Sequence, residues 1–245
     1  MPAPRFFVDR PLRAGEPFSL PAGAARHVQV LRLQPGAAIT LFDGAGGEWA
    51  ASVVQMGRSD VSVQLGAHAA VDRELALPIT LALGMPANER MDSVIEKATE
   101  LGAVAIQPLL CERSVLRLSG ERAQKRQAHW QAVALAASEQ SGRTRVLQVA
   151  PVRSLAEWLR ALGSGDQKDG RVRWVLSFDE AKPLASLAPP RIGVVSLSGP
   201  EGGLSPSEEA LARAAGFAPV SLGARVLRAD TAPLALLAHL SIGAA

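Results

Sequence analysis

The sequence predicts a two-part protein: a small β-rich unit over residues 1–75, then an α/β layer with a mostly parallel sheet over residues 76–245. Three observations carry this. Val61, Val63 and Leu65 alternate with polar Ser62 and Gln64, the period of a half-buried strand, and the segments before them are short and bounded by turns. From Leu77 onward, apolar strand-like runs alternate with helical patterns, as in βαβ units. Trp174–Phe178 and Ile192–Leu197 are continuously apolar, as expected of parallel strands covered on both faces.

In the first part, Phe6-Phe7-Val8 is an apolar start followed by Asp9-Arg10-Pro11. Ala24–Leu33 fits a short amphipathic helix that stops before Pro35-Gly36. Ala38–Phe42 and Glu48–Gln55 read as two strands around the turn Asp43–Gly47, and Gly66–Ala76 as the linker. In the second part, Ile79–Met85 reads as a strand. Met91, Val94, Ile95, Ala98 and Leu101 share one helical face, with Gly102 as the stop. Val104–Leu109 is the next strand and Glu121–Glu139 a long helix. Ser154–Glu157 and Ser205–Glu208 are capping boxes, the second with Pro206 at the first helical position. Ala218–Leu222 is the last strand, and a final apolar helix runs from about Thr231 to Ile242.

Of the 245 residues, 26 are Lys or Arg and 23 Asp or Glu, a formal net charge of +3 that is too small to name a nucleic acid as partner. The charge is segregated, however. Residues 1–32 hold 5 basic and 2 acidic side chains, and residues 111–153 hold 8 and 3. An apolar fraction of 48% and a charged fraction of 20% exclude wholesale disorder. Cys111 is the one cysteine, which excludes an intramolecular disulfide and a cysteine zinc site. His27, His68, His129 and His239 are scattered with no HExxH, so no metal is expected. Cys111 is expected to be a small buried hydrophobe, and His27 and His129 packing or surface residues. The N-terminus has no apolar h-region, and no apolar run reaches the roughly 18 residues of a membrane span. The expected location is the cytoplasm, with no membrane contact.

Ligands of open α/β sheets bind outside the carboxyl ends of the strands. Two segments there stand out: Leu197–Leu204, which holds three glycines and a proline in five residues, and Ser221–Ala232. Either alone reads equally as an ordinary loop. There is no GxxxxGK[ST] and no GxSxG, and Gly44–Gly47 sits in a hairpin turn rather than between a strand and a helix.

Taken together, these segments resemble the RsmE-like 16S ribosomal RNA uridine-N3 methyltransferases of the SPOUT class. The family's GPEGG loop is matched by Gly199–Gly203, and its LGxxILRxETA segment by Leu222–Ala232. Its KATELG helix end is matched by Lys97–Gly102, ERS by Glu112–Ser114, and AAxEQSGR by Ala136–Arg143. HxxxVLRLxxG and FDGxGG are matched from His27 to Gly36 and from Phe42 to Gly47. Two positions depart: Asp230 stands where the family usually has Glu, and Met85–Arg90 lacks the Lys that often follows the Pro.

The resemblance implies an N-terminal PUA-like β-barrel that helps hold RNA and a C-terminal SPOUT α/β domain with a trefoil knot. It implies S-adenosylmethionine as cofactor, a homodimer, and 16S ribosomal RNA, free or within the 30S subunit, as substrate. Ser198, Gly199, Pro200, Glu201, Gly202, Leu222, Gly223, Val226 and Leu227 are then the expected cofactor residues. Uracil N3 must lose its proton to act as a nucleophile. Arg228 is the candidate to favour the anion, with Asp230 or Glu139 as proton acceptor. The other reading of Arg228 and Asp230 is a structural ion pair at the start of the last helix. Arg5, Arg10, Arg32, Arg113 and Arg143 are the candidate RNA contacts. The rival functions are a SPOUT methyltransferase acting on another RNA base and a non-catalytic RNA-binding assembly factor.

Overall fold

In the computed structural model, residues 3–15, 17–58, 60–87, 89–163 and 170–243 are described. The chain divides into two units, Met1–Glu74 with Ser138–Val146, and Leu75–Ala137 with Leu147–Ala245. The expected division was a single cut after residue 75. The difference is the segment 138–146, which ends a helix of unbroken periodicity. No cut is visible there, because the contacts that assign the segment to the first unit come from residues far away in sequence.

The first unit holds β1 (Arg5–Phe7), β2 (Pro17–Ser19), α1 (Ala22–Val30), β3 (Ala38–Phe42), β4 (Glu48–Met56) and β5 (Val61–Ala69). Its five-stranded sheet has the order β1-β3-β4-β5-β2, with β1 parallel to β3 and the remaining pairs antiparallel. Phe6, Phe18, Val28, Ile39, Leu41, Val53, Val61 and Val63 form its core. The alternation at Val61, Val63 and Leu65 points those side chains inward. The strand then continues past Gly66, where a linker was expected, as far as Ala69 opposite Glu48. Helix α1 ends three residues earlier than expected, before Arg32 at φ +54.

The second unit is an eight-stranded, wholly parallel sheet with helices on both faces. Its elements in order are β6 (Ile79–Gly84), α2 (Glu89–Glu100), β7 (Ala105–Leu110), α3 (Gly120–Ser141), β8 (Gln148–Val149) and β9 (Arg153–Ser154). They continue with α4 (Leu155–Leu162), β10 (Val172–Leu176), β11 (Lys182–Pro183), β12 (Val194–Ser198), α5 (Pro206–Ala214), β13 (Ala218–Ser221) and α6 (Thr231–Gly243). The strand order is β11-β13-β10-β12-β6-β7-β8, with β9 also on β7.

Side chains alternate between two cores. Ile79, Leu81, Leu83, Trp174 and Val194 pack with Met91, Val94 and Ile95 of α2, Trp130 of α3 and Leu236 of α6. Ala82, Val175, Val195 and Leu197 pack with Trp158 of α4 and Ala212 of α5. This explains the continuous apolar runs: each strand must satisfy an apolar layer on both sides. Both capping boxes form as read, Ser154 with Glu157 and Ser205 with Glu208, each contributing about 1 kcal/mol to helix initiation.

Candidate active site

Strands β13, β10 and β12 are adjacent and parallel, so their carboxyl ends point the same way. Over those ends lies a cavity of about 560 Å³, within the range that encloses a cofactor-sized molecule. Its wall is built from Leu176–Phe178 after β10, Ser198–Leu204 after β12, and Leu222 with Arg225–Ala229 after β13. The two segments singled out in the sequence thus meet in one cavity. Arg90, Arg225 and Arg228 bring positive charge to it, and Glu201 and Glu209 negative charge.

The Ser198–Leu204 loop is tight. Gly203 N–H donates to the Pro200 carbonyl at 2.8 Å. A Cβ on Gly199 would stand 2.7 Å from the Leu204 nitrogen and 2.8 Å from the Gly203 carbonyl carbon, so only glycine fits. Glu201 Oε1 accepts from Ala87 N–H at 3.0 Å, tying the loop to the segment after β6; Asn88 of that segment lies outside the described residues. Ser198 lines the cavity, and its hydroxyl is buried with no hydrogen-bond partner among the described residues. Beneath the loop, Cys111 is buried as expected. Burial first, and the Glu208 carboxylate second, push its thiol up to about 12.

The second loop is open by comparison. None of residues 221–232 is buried, and Val226 is 85% exposed although it lines the cavity. Gly223, expected among the cofactor residues, is not part of the wall. It turns the chain at φ +104, a conformation other residues rarely adopt. Arg228 lines the cavity, and its carbonyl accepts from the N–H groups of Thr231 and Ala232 at the start of α6. No ion pair joins Arg228 to Asp230 among the described residues. The Asp230 carboxylate instead accepts from the Thr231 hydroxyl at 3.3 Å and does not line the cavity.

Several expected site residues have other work. Glu139 belongs to the first unit. It accepts from Phe7 N–H at 2.9 Å, with His27 Nδ1 3.6 Å away. Burial raises its carboxyl above the usual range, opposed by that N–H bond and then by His27 and Arg5. Arg143, expected on the RNA surface, is 4% exposed and its guanidinium bonds the Glu74 carboxylate; this buried pair replaces an exposed phosphate contact. Arg5 pairs with Glu48, donates to the Arg143 carbonyl at 2.9 Å and lies over the Phe42 ring. Arg10 is exposed, with its guanidinium 3.8 Å over Phe18, and Arg32 is exposed. Arg113 Nη1 donates to the carbonyls of Gly202 and Leu204.

Sequence reasoning missed Arg90, Ser177, Phe178 and Glu209, all of which line the cavity. Ser177 donates to the Glu209 carboxylate at 3.3 Å. Their signal was the strand end at Phe178 and the acidic first turn of α5, but only the strand order brings them together.

A parallel sheet carrying such a cavity, joined to a small β unit, defines a class. A family model of the RNA methyltransferase domain matches residues 73–241, and one of the RNA methyltransferase PUA domain matches residues 20–66. A ribosomal RNA small subunit methyltransferase E from Synechocystis is 35% identical over 87% of this chain and 68% of its own. The crystal structure of the Neisseria gonorrhoeae protein of that name, bound to S-adenosyl methionine, is 38% identical. It superimposes with a TM-score of 0.91 over 97% of this chain and 96% of its own. A putative methyltransferase from Legionella pneumophila in complex with the same cofactor is 31% identical, with a TM-score of 0.92 over 99% and 98%. The chain belongs to the ribosomal RNA small subunit methyltransferase E family of RNA methyltransferases. Among the described residues no helix is long and apolar enough to cross a membrane, and no group of three or more side chains could hold a metal ion.

Proposed function

We propose that this chain transfers the methyl group of S-adenosylmethionine to N3 of a uridine in 16S ribosomal RNA. The observation that carries the reading is the meeting of the GPEGG loop and the Leu222–Ala232 segment in one cavity, whose wall includes Ser198 with a buried hydroxyl that has no partner among the described residues. A buried hydroxyl without a partner costs about 1–3 kcal/mol, a cost a ligand there would remove. The residues present fit this cofactor. Gly199 and Gly202 let the loop close on itself and pack against Arg113, which sets its backbone along the cavity wall, and Glu201 and Glu209 bring carboxylates that complement a sulfonium and an ammonium group.

Bound S-adenosylmethionine supplies an electrophilic methyl carbon. The chain must then hold the uracil in line and favour loss of its N3 proton. Arg228, on the cavity wall, lowers the energy of the uracil anion, as an opposite charge does for any acid. Asp230, two residues on, does not line the cavity and accepts from the Thr231 hydroxyl, so it is not assigned as the proton acceptor. Glu139 is not assigned that role, because Phe7 N–H and His27 occupy its carboxylate. The target base must leave its stack to expose N3. Exposed Arg10 and Arg32, in a net-positive N-terminal segment, contribute phosphate contacts. The trefoil knot of the SPOUT class, a homodimer, the 30S subunit as substrate and a cytoplasmic location belong to the same proposal.

Calorimetry with S-adenosylmethionine, joined to mass spectrometry of 16S nucleosides from cells with and without the gene, tests the reading. Binding with loss of 3-methyluridine in the deletion strain is expected. Loss of a different methylated base would make it another RNA methyltransferase, and absence of cofactor binding would make it an assembly factor.

A further inference from the structure

We infer that Arg113 is a positioning residue for the cofactor loop: its guanidinium and its stem set the path of Gly202–Leu204. The inference rests on the proposed cofactor reading of that loop. Arg113 Nη1 donates to the Gly202 carbonyl at 3.0 Å and to the Leu204 carbonyl at 3.2 Å. Its stem packs against the loop, since a Cβ on Gly202 would stand 2.9 Å from Arg113 Cβ.

The neighbours of Arg113 hold it there. Glu112 N–H donates to Glu208 Oε1 at 2.8 Å, while Glu208 Oε2 accepts from Ser205 N–H at 2.9 Å. One buried carboxylate therefore joins the turn after β7 to the start of α5. The Ser114 hydroxyl accepts from Cys111 N–H at 3.0 Å and closes that turn. Glu112, Arg113 and Ser114 thus each contribute one hydrogen-bonding group to the same junction. On its other side the loop is held by Glu201, which accepts from Ala87 N–H and lies 3.7 Å from Arg90 Nη1, so Arg113 supplies a separate attachment. Hydrogen bonds from a charged donor are stronger than neutral ones, and here they restrain carbonyls of the very segment that walls the cavity.

The test is calorimetry of S-adenosylmethionine on full-length wild type, Arg113→Ala and Arg113→Lys. It is accompanied by hydrogen exchange at the Gly203 and Leu204 amides and a salt titration of RNA affinity. Arg113→Ala is expected to raise the cofactor Kd about tenfold, which is about 1.4 kcal/mol. It should speed exchange at both amides and leave the salt slope of RNA binding unchanged. Arg113→Lys, which keeps a charged donor, should recover part of the affinity. A general loss of stability would lower the melting temperature without this graded cofactor response. Unchanged cofactor Kd and unchanged exchange in Arg113→Ala would overturn the inference. So would a salt slope smaller by about one with cofactor affinity intact, which is the mark of a phosphate contact. If Arg113→Ala does not fold, Arg113→Lys carries the test: weaker cofactor binding with faster exchange supports the inference, and wild-type affinity together with wild-type exchange overturns it. A wild type that fails to bind the cofactor overturns the functional reading instead, while the exchange data still decide the role of Arg113.

Discussion

Two of the loops that wall the cavity, after β12 and after β13, are built on opposite plans. Ser198–Leu204 is closed by its own turn, held from two sides by Glu201 and Arg113, and leaves no room for a Cβ at Gly199. Leu222–Asp230 has no buried residue, and Gly223 has nothing within 4 Å of where its Cβ would stand. The first loop is shaped by what surrounds it. The second is shaped by backbone conformation and by the N-terminus of α6. A rigid half suits a cofactor that is the same in every turnover, and a more open half carrying Arg228 suits a large, variable RNA substrate.

Substitutions at the two glycines test this difference most directly. Gly199→Ala must push backbone against backbone, and we expect cofactor affinity to fall at least a hundredfold, about 2.7 kcal/mol, in calorimetry. Arg228→Ala should lower the methylation rate about a hundredfold, the scale for losing one preorganised charge, with cofactor Kd within about threefold of wild type. A rate near wild type would remove Arg228 from the chemistry. Gly223→Ala meets open space but an unfavourable φ, a strain of about 1–2 kcal/mol, so the cofactor Kd should rise only about tenfold. If Gly223→Ala proves worse than Gly199→Ala, the contrast between the loops is wrong.

How far these features were legible follows from how local their causes are. Both capping boxes, the Met91 face of α2 and the Ala38–Phe42 strand depend on residues within a turn or a strand of each other, and their patterns name them. Strands β2, β8, β9 and β11 are two or three residues long, too short for any period to register. Arg143 illustrates the other failure. A basic residue after a helix end reads as a surface contact, yet its partner Glu74 lies 69 residues earlier. Likewise Ser177 and Glu209 meet only because β10 and β12 are neighbours in the sheet. Of the cavity, the glycine-rich loop could be read in advance because its three glycines and proline stand together in the sequence. Its attachment by Arg113 could not.

The smallest expected effect concerns a thiol placed in each half. Cys111 lies under the closed loop, and its thiol is raised to about 12 by burial and by Glu208. At pH 8 only about one thiol in ten thousand is then ionised, so alkylation of the folded protein should be negligible until it unfolds. A cysteine introduced by Val226→Cys in the open loop, at an 85% exposed position, should react at the rate of a free thiol while leaving the melting temperature within about 1 °C. The same shift has a stability consequence with a definite sign. The folded thiol binds its proton more tightly than the unfolded one, whose ordinary value is 9.0. Its stabilising contribution is therefore complete below pH 9 and is lost as pH rises from 9 towards about 12. A Cys111→Ala variant should start less stable than wild type at neutral pH, because it leaves a small cavity, and the gap should close as pH climbs through that window. Melting curves at pH 7 and pH 10.5 measure it. A gap that stays constant would mean the ground beneath the closed loop is wetter than its packing indicates.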